Sequence, residues 1–293
     1  MNLTAALVGA RLLHEAALLV VFGVACFPFY AAPGLTEANP TFAAWRRRRA
    51  ALGVGLAIIG GLLWFAFTTA TMSDTPSDAY SPSALVGTLC DTDFGKLWLA
   101  RLAACVLLLL ALWSPRFRAA VPVLAALTLM SLAGTGHAGL PDGPWGLAHR
   151  VADGAHLLAA GLWIGALWAL GWMVVNLPQA PETEAALRRF SGAGQLAVAV
   201  LVVTGGVNAY AILGDPIKLI TTRYGQLLDV KLLAFVGMLG LAGLNRFVIV
   251  PRLSKGDGGA VLPWLKRQIL GEQALSAVVV SVVAIIGTLD PGA

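Results

Sequence analysis

The chain has 293 residues, 58% of them hydrophobic and only 12% charged, with a formal net charge of +5. That balance, with a mean hydropathy of +0.80, excludes an ordinary soluble enzyme and describes a polytopic helical protein whose principal partner is the lipid bilayer. The surplus positive charge is split among short connections, which leaves no room for an RNA- or DNA-binding module, so no nucleic-acid partner is expected.

In chain order, runs long enough to cross about 30 Å of hydrocarbon cover residues 3–31, 50–71, 94–113, 119–136, 145–175, 192–213, 224–250 and 262–289. The predicted fold is an all-α membrane helical bundle of about eight transmembrane helices, forming one integral membrane domain over residues 1–293. The first run lacks a basic leading region and carries Arg11, His14 and Glu15 inside its apolar stretch, so it reads as a retained helix and not a cleaved signal peptide. Basic residues fall in alternate loops: Arg46 to Arg49, Arg116 and Arg118, Arg188 and Arg189, then Arg252, Lys255, Lys266 and Arg267. Those loops are predicted to be cytoplasmic, which places both termini on the outer, periplasmic side. The other loops hold Asp74, Asp78, Asp91, Asp93, Asp142 and Asp215.

Polar residues inside apolar helices mark the chemistry. His149, Asp153 and His156 recur at i, i+4 and i+7 in the fifth run, and His137 lies just upstream in Gly-Thr-Gly-His-Ala-Gly. At 100° per residue this spacing puts the two helical histidines on one face about 10 Å apart, with the aspartate between them. Ionisable groups are costly in hydrocarbon, so such a face is expected to look into a protein interior or a wet cavity. The competing reading is a hydrogen-bond network that only joins helices. Counting about 1.5 Å per residue, His14 and His156 reach similar depth and are expected to meet near mid-membrane. His137 and His149 form a shallower tier near Met72, and Cys90 is the one cysteine in an outer loop.

Imidazole suits copper, zinc and iron, and a carboxylate serves as a ligand or orients a ring. The predicted metal residues are therefore His137, His149, His156, Asp153 and His14, with Met72 and Cys90 as weaker members. Arg11, Glu15, Lys96, Arg101, Arg150, Lys231 and Glu272 also lie in or beside apolar runs; Arg11 and Glu15 are spaced to pair, whereas Arg101, Arg150 and Lys231 are expected to snorkel or balance charge. The pairs Gly53/Gly55, Gly60/Gly61, Gly161/Gly165, Gly205/Gly206 and Gly240/Gly243 read as helix packing, Trp163 as core packing near the site, and Asn208, Asn245, Glu272 and Gln273, assigned to the cytoplasmic half, as interhelical glue in preference to an exit path. The sequence has no Walker Gly-x-x-x-x-Gly-Lys, no Cys-Pro-Cys and no His-Glu-x-x-His, so ATP hydrolysis and zincin chemistry are not expected and the chain is not read as an enzyme.

Gly-Thr-Gly-His137-Ala-Gly followed by His149-Arg-Val-Ala-Asp153-Gly-Ala-His156 through Trp163-Ile-Gly165 resembles the central signature of the copper resistance protein D family. Asp93-Phe94-Gly95-Lys96-Leu-Trp98 and Tyr224-Gly225-Gln226 through Lys231 agree with it, and the resemblance covers most of the chain. It implies a multi-pass protein of the bacterial inner (cytoplasmic) membrane that transports copper, as Cu(I) or Cu(II), from the periplasm into the cell. It also implies supply by a separate periplasmic carrier of the CopC type. Two alternatives use the same residues: a b-type haem redox protein with His14 and His156 as axial ligands, and a factor delivering copper to a membrane oxidase.

Overall fold

Asn2 opens the first helix, its side chain accepting the Ala5 N–H, and Asn39 does the same for Phe42 ahead of Pro40, whose fixed φ suits a first helical turn. Thr92 and Thr222 cap two further helices through Gly95 N–H and Gly225 N–H. The computed structural model describes residues 2–134, 143–178, 180–253 and 258–290, and these are helical with short connections. Among them, eight helices are long and apolar enough to span a membrane. They are α1 (Leu3–Tyr30), α2 (Pro40–Met72), α3 (Asp93–Trp113), α4 (Pro115–Ala133), α5 (Trp145–Asn176), α6 (Pro181–Leu213), α7 (Arg223–Leu253) and α8 (Val261–Ile286).

Two boundaries differ from the hydropathy reading. α2 and α6 each begin about ten residues earlier than expected, at Pro40 and Pro181, because helix geometry continues through the Arg46–Arg49 and Arg188–Arg189 segments that hydropathy assigns to loops. A further helix, Pro82–Asp91, bridges toward α3 in the acidic connection.

α1 is the most buried span and packs against α2, α4, α5 and α8. Glycine makes the closest of these approaches. A Cβ on Gly23 of α1 would collide with the backbone of Gly165 and Ala166, and one on Gly165 would collide with the Leu19 carbonyl. Gly60 lies against the His14 backbone in the same way, so Gly53, Gly60, Gly61, Gly161 and Gly165 lie at close contacts as expected, whereas a Cβ on Gly55, Gly206, Gly240 or Gly243 would meet nothing within 4 Å.

Two spans are interrupted by π-helical turns, Gly161–Gly165 in α5 and Asn245–Ile249 in α7. Such turns insert one residue into the helix and re-aim the side chains around them. In α5 the turn coincides with the crossing over α1, where Gly161 is pressed by Phe22 and Leu129.

Candidate functional site

A cavity of about 250 Å³ lies between α1, α5, α6, α7 and α8. Its polar lining is Arg11 and Glu15 from α1, Asp153 and His156 from α5, Asn208 from α6, and Tyr224 and Lys231 from α7. These residues sit near the start of α1, α5 and α7 and near the end of α6, so they share one half of the bundle. The basic-loop pattern of the sequence leads to the expectation that this half faces outward.

The geometry fixes the state of His156. Its Nδ1 lies 3.0 Å from Thr204 Oγ1, whose own proton is donated to the Val200 carbonyl at 2.6 Å. The hydroxyl therefore accepts from Nδ1–H, and Nε2 is left with the lone pair that a metal requires. Three residues before it, Asp153 Oδ1 accepts from Asn208 Nδ2 at 3.1 Å. One turn further toward the start of α5, His149 is 6% exposed, and its Nδ1 is buried without a hydrogen-bond partner.

His14 is placed differently from the expectation. Its fully buried ring lies 5.7 Å from Trp64 and 5.3 Å from Trp98, and its Nδ1 donates to the Ala57 carbonyl at 2.7 Å. That bond also leaves Nε2 with a lone pair, buried and unpartnered. However, His14 does not line the cavity that holds His156; Arg11 and Glu15 are the α1 residues that do. The structure thus gives the two imidazoles different surroundings, His14 between Trp64 and Trp98 and His156 on the cavity wall.

Arg11 donates from Nη2 to Glu15 Oε1 at 3.2 Å, and its guanidinium lies 4.4 Å from the Trp64 ring centre. The α8 terminus leaves room for it at Gly287, where any Cβ would strike the guanidinium. Arg101 is only 1% exposed, stacks 4.6 Å over Trp98 and donates from Nε to Ser131 Oγ at 2.8 Å. It does not snorkel, because Ser131 and the Trp98 face supply its contacts inside the bundle. Arg150, by contrast, is exposed.

Met72 and Cys90 are exposed, at the end of α2 and on the Pro82–Asp91 helix, and neither lines the cavity. His137 lies outside the described residues. Among the described residues no three His, Cys, Asp or Glu side chains close into a metal-binding group. Thr204 is a support for His156 that the sequence reading missed, and Asn208, assigned there to the cytoplasmic half, lies instead on this cavity against Asp153. Their signal was a polar pair four residues apart on α6, around the Gly205-Gly206 pair.

The family model described as copper resistance protein D-like, N-terminal domain, matches residues 1–147, and the model for copper resistance protein D matches residues 184–286. Inner membrane protein YebZ of Escherichia coli (strain K12) is 32% identical, covering 97% of this chain and 98% of its own length. Copper resistance protein D of Pseudomonas syringae pv. tomato is 30% identical over 94% of this chain and 93% of its own. Copper transport protein CutJ of Bacillus subtilis (strain 168) is 31% identical over 57% of this chain and 33% of its own length. No solved structure is significantly similar to the chain.

Proposed function

The chain belongs to the copper resistance protein D family and is a multi-pass inner-membrane protein with a copper-related role, and from that premise we propose that it carries copper from the periplasm into the cell through the outward cavity. The observation that carries this reading is the contact of His156 Nδ1 with Thr204, which leaves Nε2 available to a metal in a charged cavity that Asp153 also lines. Copper, as substrate, is received at His137 and His149 and passed to His156 with Asp153. Neutral imidazoles take both Cu(I) and Cu(II), so the site serves either oxidation state.

His14 serves as a separate ligand deeper in the α1–α2–α3 wall, backed by the Ala57 carbonyl as ligating imidazoles usually are. Met72 and Cys90, both exposed, act at most before capture. The metal arrives from a separate periplasmic carrier, and the acidic outer loops favour a cation near the mouth.

The test is copper entry into proteoliposomes holding the purified protein. Wild type accumulates copper in the lumen, whereas His156→Ala abolishes accumulation without loss of folded protein. Binding without luminal accumulation by the wild type would convert the reading to that of a delivery factor. An intense Soret band in the purified protein would replace it with haem chemistry.

A further inference from the structure

Glu272 of α8 lies in the opposite half of the bundle and is 1% exposed. Its Oε2 accepts from Trp163 Nε1 at 3.2 Å, and its Oε1 accepts from Asn245 Nδ2 at 2.7 Å. Trp163 sits inside the π turn of α5, and Asn245 opens the π turn of α7. The two irregular turns of these spans therefore aim their polar side chains at one carboxylate, which glue between regular helices would not require.

This carboxylate borders a second cavity of about 380 Å³ that shares no lining residue with the first. Among the described residues no Lys, Arg or His forms an ion pair with Glu272. Arg246 of α7 is the other charged residue in the lining, and its Nη1 donates to Ser191 of α6 at 2.9 Å. The lining from α5 brings Trp163 and Leu170, that from α6 brings the neutral Ser191 and Gln195, and α8 itself contributes Glu272 alone. An ionised carboxylate held this way, without a cation, costs several kcal/mol in an apolar setting, and one added proton removes that charge.

The two bonds specify where the proton goes. An indole N–H only donates, so Oε2 must remain an acceptor. Asn245 carries both kinds of group, and its Oδ1 is buried without a hydrogen-bond partner. A half-turn of the amide replaces N–H2 by Oδ1, which then accepts from a protonated Oε1.

We propose that Glu272 is a reversible proton-binding site, with the proton on Oε1 and the Asn245 amide flipping between donor and acceptor as the site empties and fills. The proton is exchanged with water entering the cavity; the O–H bond is the only bond made or broken. The inference stands apart from the copper reading, since it uses neither the outward cavity nor its ligands. The two cavities are walled by the same four spans, α5 to α8, and on α5 Trp163 follows His156 by seven residues.

Infrared difference spectroscopy of the full-length protein in lipid vesicles, between acidic and alkaline buffer in H2O and D2O, tests it. The expected result is a protonated-carboxyl carbonyl band that shifts in D2O, disappears in Glu272→Gln and persists in Glu15→Gln and Asp153→Asn. In Asn245→Leu the band moves toward that of a free acid. A wild type with no such band at any pH, or a band unaltered by Glu272→Gln, overturns the proposal. Glu272→Gln is nearly isosteric and a flipped Asn245 accepts from its N–H2, so the fold is retained. Should that variant fail to fold, Trp163→Phe removes the donor to Oε2 and must shift the titration midpoint; an unshifted midpoint overturns the proposal equally.

Discussion

Replacing Glu15 by Leu isolates what the Arg11–Glu15 pair does for the wall of the outward cavity. The two side chains are 14% and 10% exposed and meet at 3.2 Å, so screening by solvent is slight. At an effective dielectric of about 20 their attraction is about 5 kcal/mol, much of it offset by the cost of desolvating both groups. Glu15→Leu removes the attraction and leaves Arg11 buried with its charge, a loss of about 3–5 kcal/mol. Arg11→Met strands Glu15 in turn and also forfeits the stacking over Trp64, which contributes about 1 kcal/mol. In the double variant no charge is stranded, so the cost falls to about 1–2 kcal/mol, far below the sum of the single losses. Thermal loss of monodisperse protein in a fixed detergent, compared across the four proteins, measures this coupling. Additive single effects would refute the reasoning, because they would mean that the pair is not formed in the folded bundle.

Other expectations follow from single contacts. Gly23→Ala pushes α1 off the π turn of α5 and lowers the yield of folded protein severely, while Gly55→Ala, where a Cβ meets nothing within 4 Å, leaves yield and melting temperature near wild type in the same size-exclusion assay. Thr204→Val frees the His156 ring and weakens copper affinity by about 10- to 100-fold, read by titration against a competing chelator; unchanged affinity would remove Thr204 from the site. His14→Phe loses the bond to Ala57, costs about 1 kcal/mol of stability and weakens copper binding less than His156→Ala does, in the same titration. An equal loss in both variants would mean that the two imidazoles share one ion.

Hydropathy and the alternation of basic loops were enough to read eight spans, because a bilayer demands length and apolarity in a way that survives without any tertiary detail. The ends of α2 and α6 were not readable, since arginines end a hydrophobic run without ending a helix; Asn39 with Pro40 and the Pro181 start set those ends instead. Counting residues placed His14 and His156 at similar depth, but depth says nothing about azimuth. The next residue along, turned by about 100°, is the one that reaches the cavity: Glu15 lines it, while His14 enters the Trp64–Trp98 box. Sequence offers only snorkelling or charge balance for Arg101, because its acceptor, Ser131, lies on another span. The π turns were invisible to any argument built on a 3.6-residue period, and with them the convergence of Trp163 and Asn245 on Glu272.

The account rests on copper held in the cavity at Asp153 and His156 and received there from His137 and His149. Copper bound per chain, measured on the purified protein beside a variant with His137, His149 and His156 all replaced by Ala, tests that claim most directly. The account predicts that the wild type holds copper and the triple variant loses it while remaining folded. Unchanged copper stoichiometry in the folded triple variant would contradict it.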